Sequence, residues 1–235
     1  MYLCFYDLQK AFDSVQYPIL LKRLYDAGIN GRTWRLIKAW YSHPKCKVKV
    51  DGQLSTAFTI ERGVLQGSVL SPVLFLLVMD PLLRELEESK LGPSISGIYA
   101  GAYAHADDIC TITSMCSLSS LNQQVRMVQN FAKENALVLN PAKCEVLITA
   151  STKPALQSPV CTLGDQPLFP QDCVKCLGYW WSWDLSATKG VDEVIKKARR
   201  AYYIRPRLLI LPLCMKHTLC RCTFLIIAIT RQEFQ

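Results

Sequence analysis

The chain has 235 residues, 50% of them apolar and 20% charged, and a formal net charge of +8. That length buries a sizeable core in one large domain or two small ones, and that apolar share excludes a disordered, solvating chain. The charge is unevenly placed: between residues 186 and 221 nine Lys/Arg face only Asp192 and Glu193, a local +7 that leaves +1 for everything else. A basic C-terminal segment behind a nearly neutral body points to a polyanionic partner.

The eleven cysteines are odd in number and lack framework spacing, and Met1-Tyr2-Leu3-Cys4-Phe5 has no basic signal-peptide region. Reduced thiols and a nuclear or cytoplasmic, not secreted, protein are expected. Residues 69–79 are too short to span a membrane, and residues 208–229 are broken by Pro212, Lys216, His217 and Arg221, so no membrane partner is expected. Cys173 and Cys176 make half a zinc site at most. Cys214, His217, Cys220 and Cys222 have ligand spacing but sit in an apolar run, which argues against a closed four-ligand site.

Residues 1–7 read as an apolar strand ending in Asp7, so close to the chain start that something upstream is expected to be missing. Residues 17–27 form an amphipathic helix opened near Pro18 and stopped by Gly28, with Ile19, Leu20, Leu24 and Ala27 on one face. A second helix covers residues 33–41, with Trp34, Ile37 and either Trp40 or Tyr41 inward. Residues 47–50 alternate, Asp51-Gly52 is a hairpin turn, and residues 58–60 supply the return strand. A glycine-bearing loop, residues 62–71, leads through Ser71 as N-cap and Pro72 at the first helical position into a helix over residues 73–88.

Residues 95–104 and 109–113 read as strands around His105-Ala106-Asp107-Asp108. A helix over residues 117–135 carries Leu118, Leu121, Val125, Val128 and Ala132 at helical spacing. Short strands at 137–139 and 146–149 flank Asn140-Pro141-Ala142-Lys143-Cys144-Glu145, and residues 151–170 are irregular. Residues 175–183 form a hairpin. Residues 190–203 form a basic amphipathic helix with Val191, Val194, Ile195, Ala198 and Tyr202 inward. The sum is an α+β fold, an antiparallel sheet with helices on one face, followed by a small basic helical module.

Two adjacent carboxylates at a hairpin tip raise each other's pKa, and a divalent cation such as Mg²⁺ relieves that cost. Strand alternation turns Asp107 and Asp108 to opposite faces, which makes Asp107 the main ligand and Asp108 its partner. If the strand ending in Asp7 lies beside that hairpin, three carboxylates meet at one end of the sheet, as a two-metal phosphoryl-transfer site requires. Gly63, Gln66 and Gly67 offer a loop that lets a substrate approach the backbone.

Taken in order, these segments resemble the palm of a reverse transcriptase of the non-LTR (LINE-type) retrotransposon family, from about residue 1 to 202. FYDLQKAFD at 5–13 resembles the first catalytic motif and GVLQGSVLSP at 63–72 the second. ADD at 106–108 resembles the third, NPAKCE at 140–145 the fourth, and CLG at 176–178 the primer-gripping fifth. The resemblance implies a right-hand polymerase palm over residues 1–184, with a partial fingers excursion at about 14–62, and a truncated basic thumb over 185–235. It implies an RNA-directed DNA polymerase that takes an RNA template, a DNA primer and deoxynucleoside triphosphates. Two Mg²⁺ ions, with Mn²⁺ as a substitute, would be held by Asp7, Asp107 and Asp108. Phe12 would stack under the incoming sugar and exclude a 2′-hydroxyl, and Gln66 and Gly67 would meet the nucleotide or template. Lys143 would donate a proton to pyrophosphate, while Leu177 and Gly178 would place the primer end.

Two residues depart from the family pattern: His105 stands where Phe or Tyr is usual, and Cys176 where Tyr is usual. The resemblance also places the N-terminal fingers before Met1 and finds no endonuclease, so the fragment alone is expected to polymerise poorly or not at all. The alternative is a catalytically inactive retroelement relic that binds nucleic acid through the basic thumb. A zinc-dependent interaction module is a third reading.

Overall fold

The computed structural model describes residues 1–203, apart from residues 43, 114–116, 151, 153, 155 and 156, and for residues 198–203 only the backbone. Arg205, Arg207, Lys216 and Arg221, the cysteine–histidine set at 214–222 and the apolar run at 208–229 lie outside the described residues. The chain divides into two units, Met1–Leu185 and Ser186–Gln235. Within the described residues of the second stands the helix Thr188–Tyr203.

The first unit is organised around its first strand, β1 (Tyr2–Asp7). Alternation along β1 sends Cys4 and Tyr6 into one core and Leu3 and Phe5 into another, so this strand is buried on both faces. The helices α1 (Ala11–Ser14), α2 (Tyr17–Asp26) and α3 (Gly31–Ser42) follow. Next come four two-residue strands: β2 (Lys45–Cys46), β3 (Lys49–Val50), β4 (Gln53–Leu54) and β5 (Phe58–Thr59). Helix α4 (Ser71–Ser89), the small hairpin β6 (Ser94–Ile95) and β7 (Ile98–Tyr99), then β8 (Ala102–His105) and β9 (Asp108–Thr113) come next. Helix α5 (Leu118–Glu134) leads to β10 (Glu145–Ile148), β11 (Cys161–Leu163), β12 (Gln166–Leu168) and β13 (Pro170–Gln171). The unit closes with β14 (Cys173–Cys176) and β15 (Tyr179–Ser182), and α6 is the helix of the second unit.

The main sheet has the order β13-β10-β1-β9-β8, antiparallel except where β13 runs parallel to β10. One face packs on α2, α4 and α5 through Leu20, Leu24, Phe75, Met79, Leu121 and Val128. The other carries Leu3, Phe5, Cys110 and Leu147 against Val174 and Cys176 of the β14–β15 hairpin. Helices therefore cover one face, and a hairpin covers part of the other. Residues 17–42 are not set apart from this core, since Leu20, Leu24, Ile37 and Tyr41 are buried in the same cluster as the sheet.

Several local expectations give way to competing physics. Residues 95–104 do not run as one strand: Ser96 and Gly97 have φ of 52° and 83°, which folds the stretch back into β6–β7. Chain then returns tightly, with a Cβ on Gly101 falling 2.5 Å from the Gly92 Cα. Asp51-Gly52 does turn a hairpin, but its return strand is Gln53–Leu54, and Phe58–Thr59 pairs instead with Lys45–Cys46. Ser71 is no N-cap; it is buried and its hydroxyl donates to the Leu65 carbonyl at 2.5 Å, which ties the loop to the helix start. Residues 137–139 shrink to one bridge between Leu8 and Leu139. Tyr41 points inward and Trp40 outward, while Leu118 and the Val191, Val194 and Ile195 set are exposed.

Candidate active site

The end of β1 meets the start of β9 in register. Asp7 is the ladder partner of Asp108, and Asp108 is also the partner of His105 across the β8–β9 turn. Residues directly opposite in an antiparallel ladder share a face, with Cβ atoms about 5 Å apart. Asp7, Asp108 and His105 therefore form one cross-strand row on the Phe5 face, the side that bears the β14–β15 hairpin. Asp107 is not in a strand, so alternation does not govern it; it occupies the two-residue turn with Ala106, whose φ is 54°. Backbone in this region costs a non-glycine residue about 1–2 kcal/mol.

The row is electrostatically crowded. Partial burial lifts the Asp108 carboxyl above the usual carboxylate range, the charges of Asp107 and then Asp7 lift it further, and His105 opposes them. Asp7 is held from the other side by the turn between α5 and β10. The Asn140 amide donates from Nδ2 to Asp7 Oδ2 at 3.3 Å, and its backbone N–H donates to the Asp7 carbonyl at 2.9 Å. The Lys143 ammonium lies 3.6 Å from the same Oδ2, and the Asp7 backbone N–H donates to Cys144 Sγ at 3.4 Å. Burial pushes the Cys144 thiol up to about 11, which keeps it a neutral acceptor there. Asn140 and Cys144 were not singled out by residue type; the signal was available, because both lie in the 140–145 motif that also contains Lys143.

A cavity of about 150 Å³ opens beside this row, lined among others by Asp7, Asp108, Lys143, Lys175 and Cys176. The loop after β1 and the loop before α4 are fastened together. Gly63 has φ of 96° and its Cα approaches Asp13 so closely that a Cβ would sit 2.9 Å from the Asp13 Cα. The Val64 and Gly63 N–H groups donate to the Phe12 and Val15 carbonyls, each at 2.8 Å, and Gln66 Nε2 donates to Asp13 Oδ1 at 2.7 Å. Phe12 is half-buried and its ring stacks on the fully buried Phe75 with centroids 4.8 Å apart. Gly67 is exposed with open space around its Cα. Leu177 and Gly178 form the tip of the β14–β15 hairpin, both with positive φ, and Leu177 is exposed. On the same hairpin, the Cys176 thiol lies 3.4 Å from the Tyr103 hydroxyl.

Among the described residues no three His, Cys, Asp or Glu side chains form a ready-made metal cage. Mg²⁺ does not need one: it binds through one or two carboxylates and takes its remaining ligands from water and substrate phosphates. The charge around the row decides what it can hold. Asp7 and Asp108 of the row and Asp107 of the adjacent turn, with Asp108 already lifted by its neighbours, face one lysine, one amide and the His105 ring, a set dominated by carboxylate oxygens whose repulsion is only partly relieved. That set suits a hard divalent cation.

The architecture is that of a right-hand polymerase palm. Solved telomerase structures share it: one from Candida albicans in complex with a telomeric RNA fragment has a TM-score of 0.53 at 16% identity, over 79% of this chain and 31% of that one. An apo telomerase from Candida tropicalis has a TM-score of 0.51, also at 16% identity, over 79% of this chain and 34% of that one. The chain belongs to the reverse transcriptase (RNA-dependent DNA polymerase) family, whose pattern it matches over residues 1–181. Its relatives include the Pol polyprotein of a type-1 R2 element of Popillia japonica, 29% identical over 62% of this chain, and that of R2DM of Drosophila melanogaster, 32% identical over 61%. The RNA-directed DNA polymerase of the mobile element jockey of Drosophila funebris is 30% identical over 60%. The chain spans only 13% to 24% of the length of these relatives. It is a reverse transcriptase domain homologous to those of non-LTR retrotransposons.

Proposed function

We propose that this domain carries the nucleotidyl-transfer centre of an RNA-directed DNA polymerase, extending a DNA primer on an RNA template with deoxynucleoside triphosphates. The observation that carries the reading is the pairing of Asp7 with Asp108 across the ladder, beside the turn that holds Asp107. Asp7, Asp107 and Asp108 would hold two Mg²⁺ ions, or Mn²⁺ in their place. Bound there, the cations supply charge neutralisation at the triphosphate and a lowered pKa at the primer hydroxyl.

The protein's own residues supply placement and a proton. The primer 3′-hydroxyl gives up its proton to solvent water and its oxygen bonds to the α-phosphorus as the bond to the bridging oxygen of pyrophosphate breaks. Lys143 Nζ, mostly exposed and 3.6 Å from Asp7 Oδ2, has the freedom to give that leaving oxygen a proton. Phe12, braced from behind by Phe75, is a rigid ring that crowds a 2′-hydroxyl and selects deoxynucleotides. Gln66 and Gly67 reach the nucleotide or template from a loop whose position Asp13 sets. Leu177 and Gly178, at a tight hairpin tip, place the primer end. The basic residues of α6 meet backbone phosphates, contacts that position without reading sequence. The proposed setting is nuclear or cytoplasmic.

Primer extension on an RNA template, with Mg²⁺ or Mn²⁺ and with Asp107→Ala alongside, tests the assignment. Metal-dependent extension lost in the variant supports it. Nucleic-acid binding that weakens steeply with salt but never leads to extension assigns the chain instead to an inactive relic. A rise in unfolding temperature on adding Mn²⁺, abolished in Asp107→Ala, reads the cation site without turnover.

A further inference from the structure

The +7 of the C-terminal segment conceals a second basic region. Between residues 17 and 50 stand eight Lys/Arg and one carboxylate, Asp26, again a net +7, offset in the total by acidic residues elsewhere in the chain. Among the described residues none of these eight cations forms an ion pair. They are not merely solvated, because α3 mixes them with large apolar surface. Trp34, Ile37 and Tyr41 face inward, and the Trp34 indole N–H donates to the Leu21 carbonyl at 2.8 Å, locking α3 onto α2. The opposite stripe, at helical spacing, is Arg32, Arg35, Leu36 and Trp40, with Leu36 66% and Trp40 50% exposed.

An outward tryptophan in line with two unpaired guanidinium groups is a costly way to make a solvated surface. It fits a ligand that is anionic along its length and also presents flat apolar rings. We propose that the outer face of α3 binds single-stranded nucleic acid, with Arg32 and Arg35 on phosphates and Trp40 stacked on a base. Arg32 to Trp40 spans about 12 Å of helix, the reach of about three nucleotides. Aromatic stacking beside a basic track is how sequence-tolerant single-strand binding is built.

This face is distinct from the carboxylate row. Helix α3 packs on α2, which packs on α4, all on the Cys4/Tyr6 side of the sheet, whereas Asp7 and Asp108 share the side of Phe5. A strand held by α3 therefore lies behind the catalytic face, and its binding does not depend on the polymerase assignment.

The test is binding of a fluorescent, unstructured U30 oligonucleotide to the full chain in EDTA, across a salt series. Arg32→Glu/Arg35→Glu is expected to lower affinity about tenfold or more and to flatten the log–log salt slope by about 1.4, two phosphates' worth. Trp40→Ala is expected to lower affinity about fivefold or more with the slope unchanged. A 5-iodouracil-substituted U30 should cross-link within residues 31–42. The charge-matched control Arg126→Glu/Lys133→Glu, on the exposed face of α5, should lose much less. Equal losses in the control overturn the proposal, as do cross-links confined to other segments. Equal competition by blunt duplex or by polyglutamate also overturns it, since the face would then read charge alone, as an acidic protein partner would require. Circular dichroism of each variant verifies that the fold is kept.

Discussion

Gly63 is where the two loops bracketing the site are pinned together, and replacing it with alanine should cost far more than a surface glycine does. Two penalties add. A non-glycine residue at φ of 96° costs about 1–2 kcal/mol. The new Cβ would then lie 2.9 Å from the Asp13 Cα and 3.0 Å from its carbonyl oxygen, both backbone atoms that cannot swing aside. Overpacking of that kind costs a further ~1–3 kcal/mol. The sum, about 2–5 kcal/mol, is a large part of the ~5–15 kcal/mol that holds a typical domain. Gly67→Ala is the internal control: its φ of 85° incurs the first penalty, but nothing lies within 4 Å of the new Cβ. In urea titrations with unchanged slope, Gly63→Ala should therefore fall below Gly67→Ala by about 1–3 kcal/mol. It should also shift Gln66 and Phe12, because the same few atoms place both relative to Asp7. Equal destabilisation of the two variants, within about 0.5 kcal/mol, would refute the close approach of Gly63 to Asp13.

Lys143→Ala should barely change stability, by less than about 1 kcal/mol in urea titration, because its pair with Asp7 is 67% exposed on the lysine side. Nucleotide incorporation should nevertheless fall by about 10²–10⁴ if the ammonium is the proton donor; a loss below tenfold removes it from that role. Leu177→Asn, at a φ of 50° that asparagine tolerates, should raise the unfolding free energy by several tenths of a kcal/mol while weakening primer use. A variant that is neither more stable nor impaired would contradict the turn geometry and the grip together. Native-state alkylation at pH 8.5, followed by peptide mapping, should modify the half-buried Cys46 well before Cys4 and Cys110. Burial raises both of the latter thiols and keeps them protonated, and only the thiolate reacts. Rapid modification of Cys4 in folded protein would mean its core is open.

Much of the fold was legible because it is written locally. The helical spacing of Leu121, Val125, Val128 and Ala132 is an intrinsic repeat, and each of these residues is buried in α5. The errors arose where a short-range signal had two solutions. Alternation over residues 95–104 cannot reveal a turn at Ser96-Gly97, because only the close approach of Gly92 to Gly101 makes the doubled-back path the compact one. Asp51-Gly52 announced a turn but not how far its strands would run. For the candidate site, the motifs located the acidic residues, but which acid faces Asp7 depends on register. Register is a contest between strands a hundred residues apart, decided by which residues reach the core. The fold answers with Asp108 in the ladder and Asp107 in the turn. The hold of Asn140 on Asp7 was half legible: the 140–145 motif contains the residue, but only the folded turn brings its amide to the Asp7 carboxylate.

Part of the fold's backbone strain lies beside this site. Three non-glycine residues adopt left-handed φ in the loops that frame the Asp7–Asp108 row: Lys10 at 47° just past β1, Ala106 at 54° between β8 and β9, and Leu177 at 50° at the hairpin tip. Each costs about 1 kcal/mol or more that a glycine would not, or an asparagine only in part. Stability alone favours glycine at such positions, as at Gly178 on the same turn as Leu177 and at Gly63. A side chain at each of these three turns comes at a cost, which the surrounding structure must offset. Ala106 sits at the tip of the β8–β9 hairpin within the sheet, Leu177 at the tip of the hairpin on its Phe5 face, and Lys10 opens the helix that carries Phe12. Five further non-glycine residues, Asp51, Lys90, Ser96, Ala136 and Leu185, adopt positive φ at turns elsewhere, so it is the crowding of carboxylates, with strain only accompanying it, that singles out this end of the sheet.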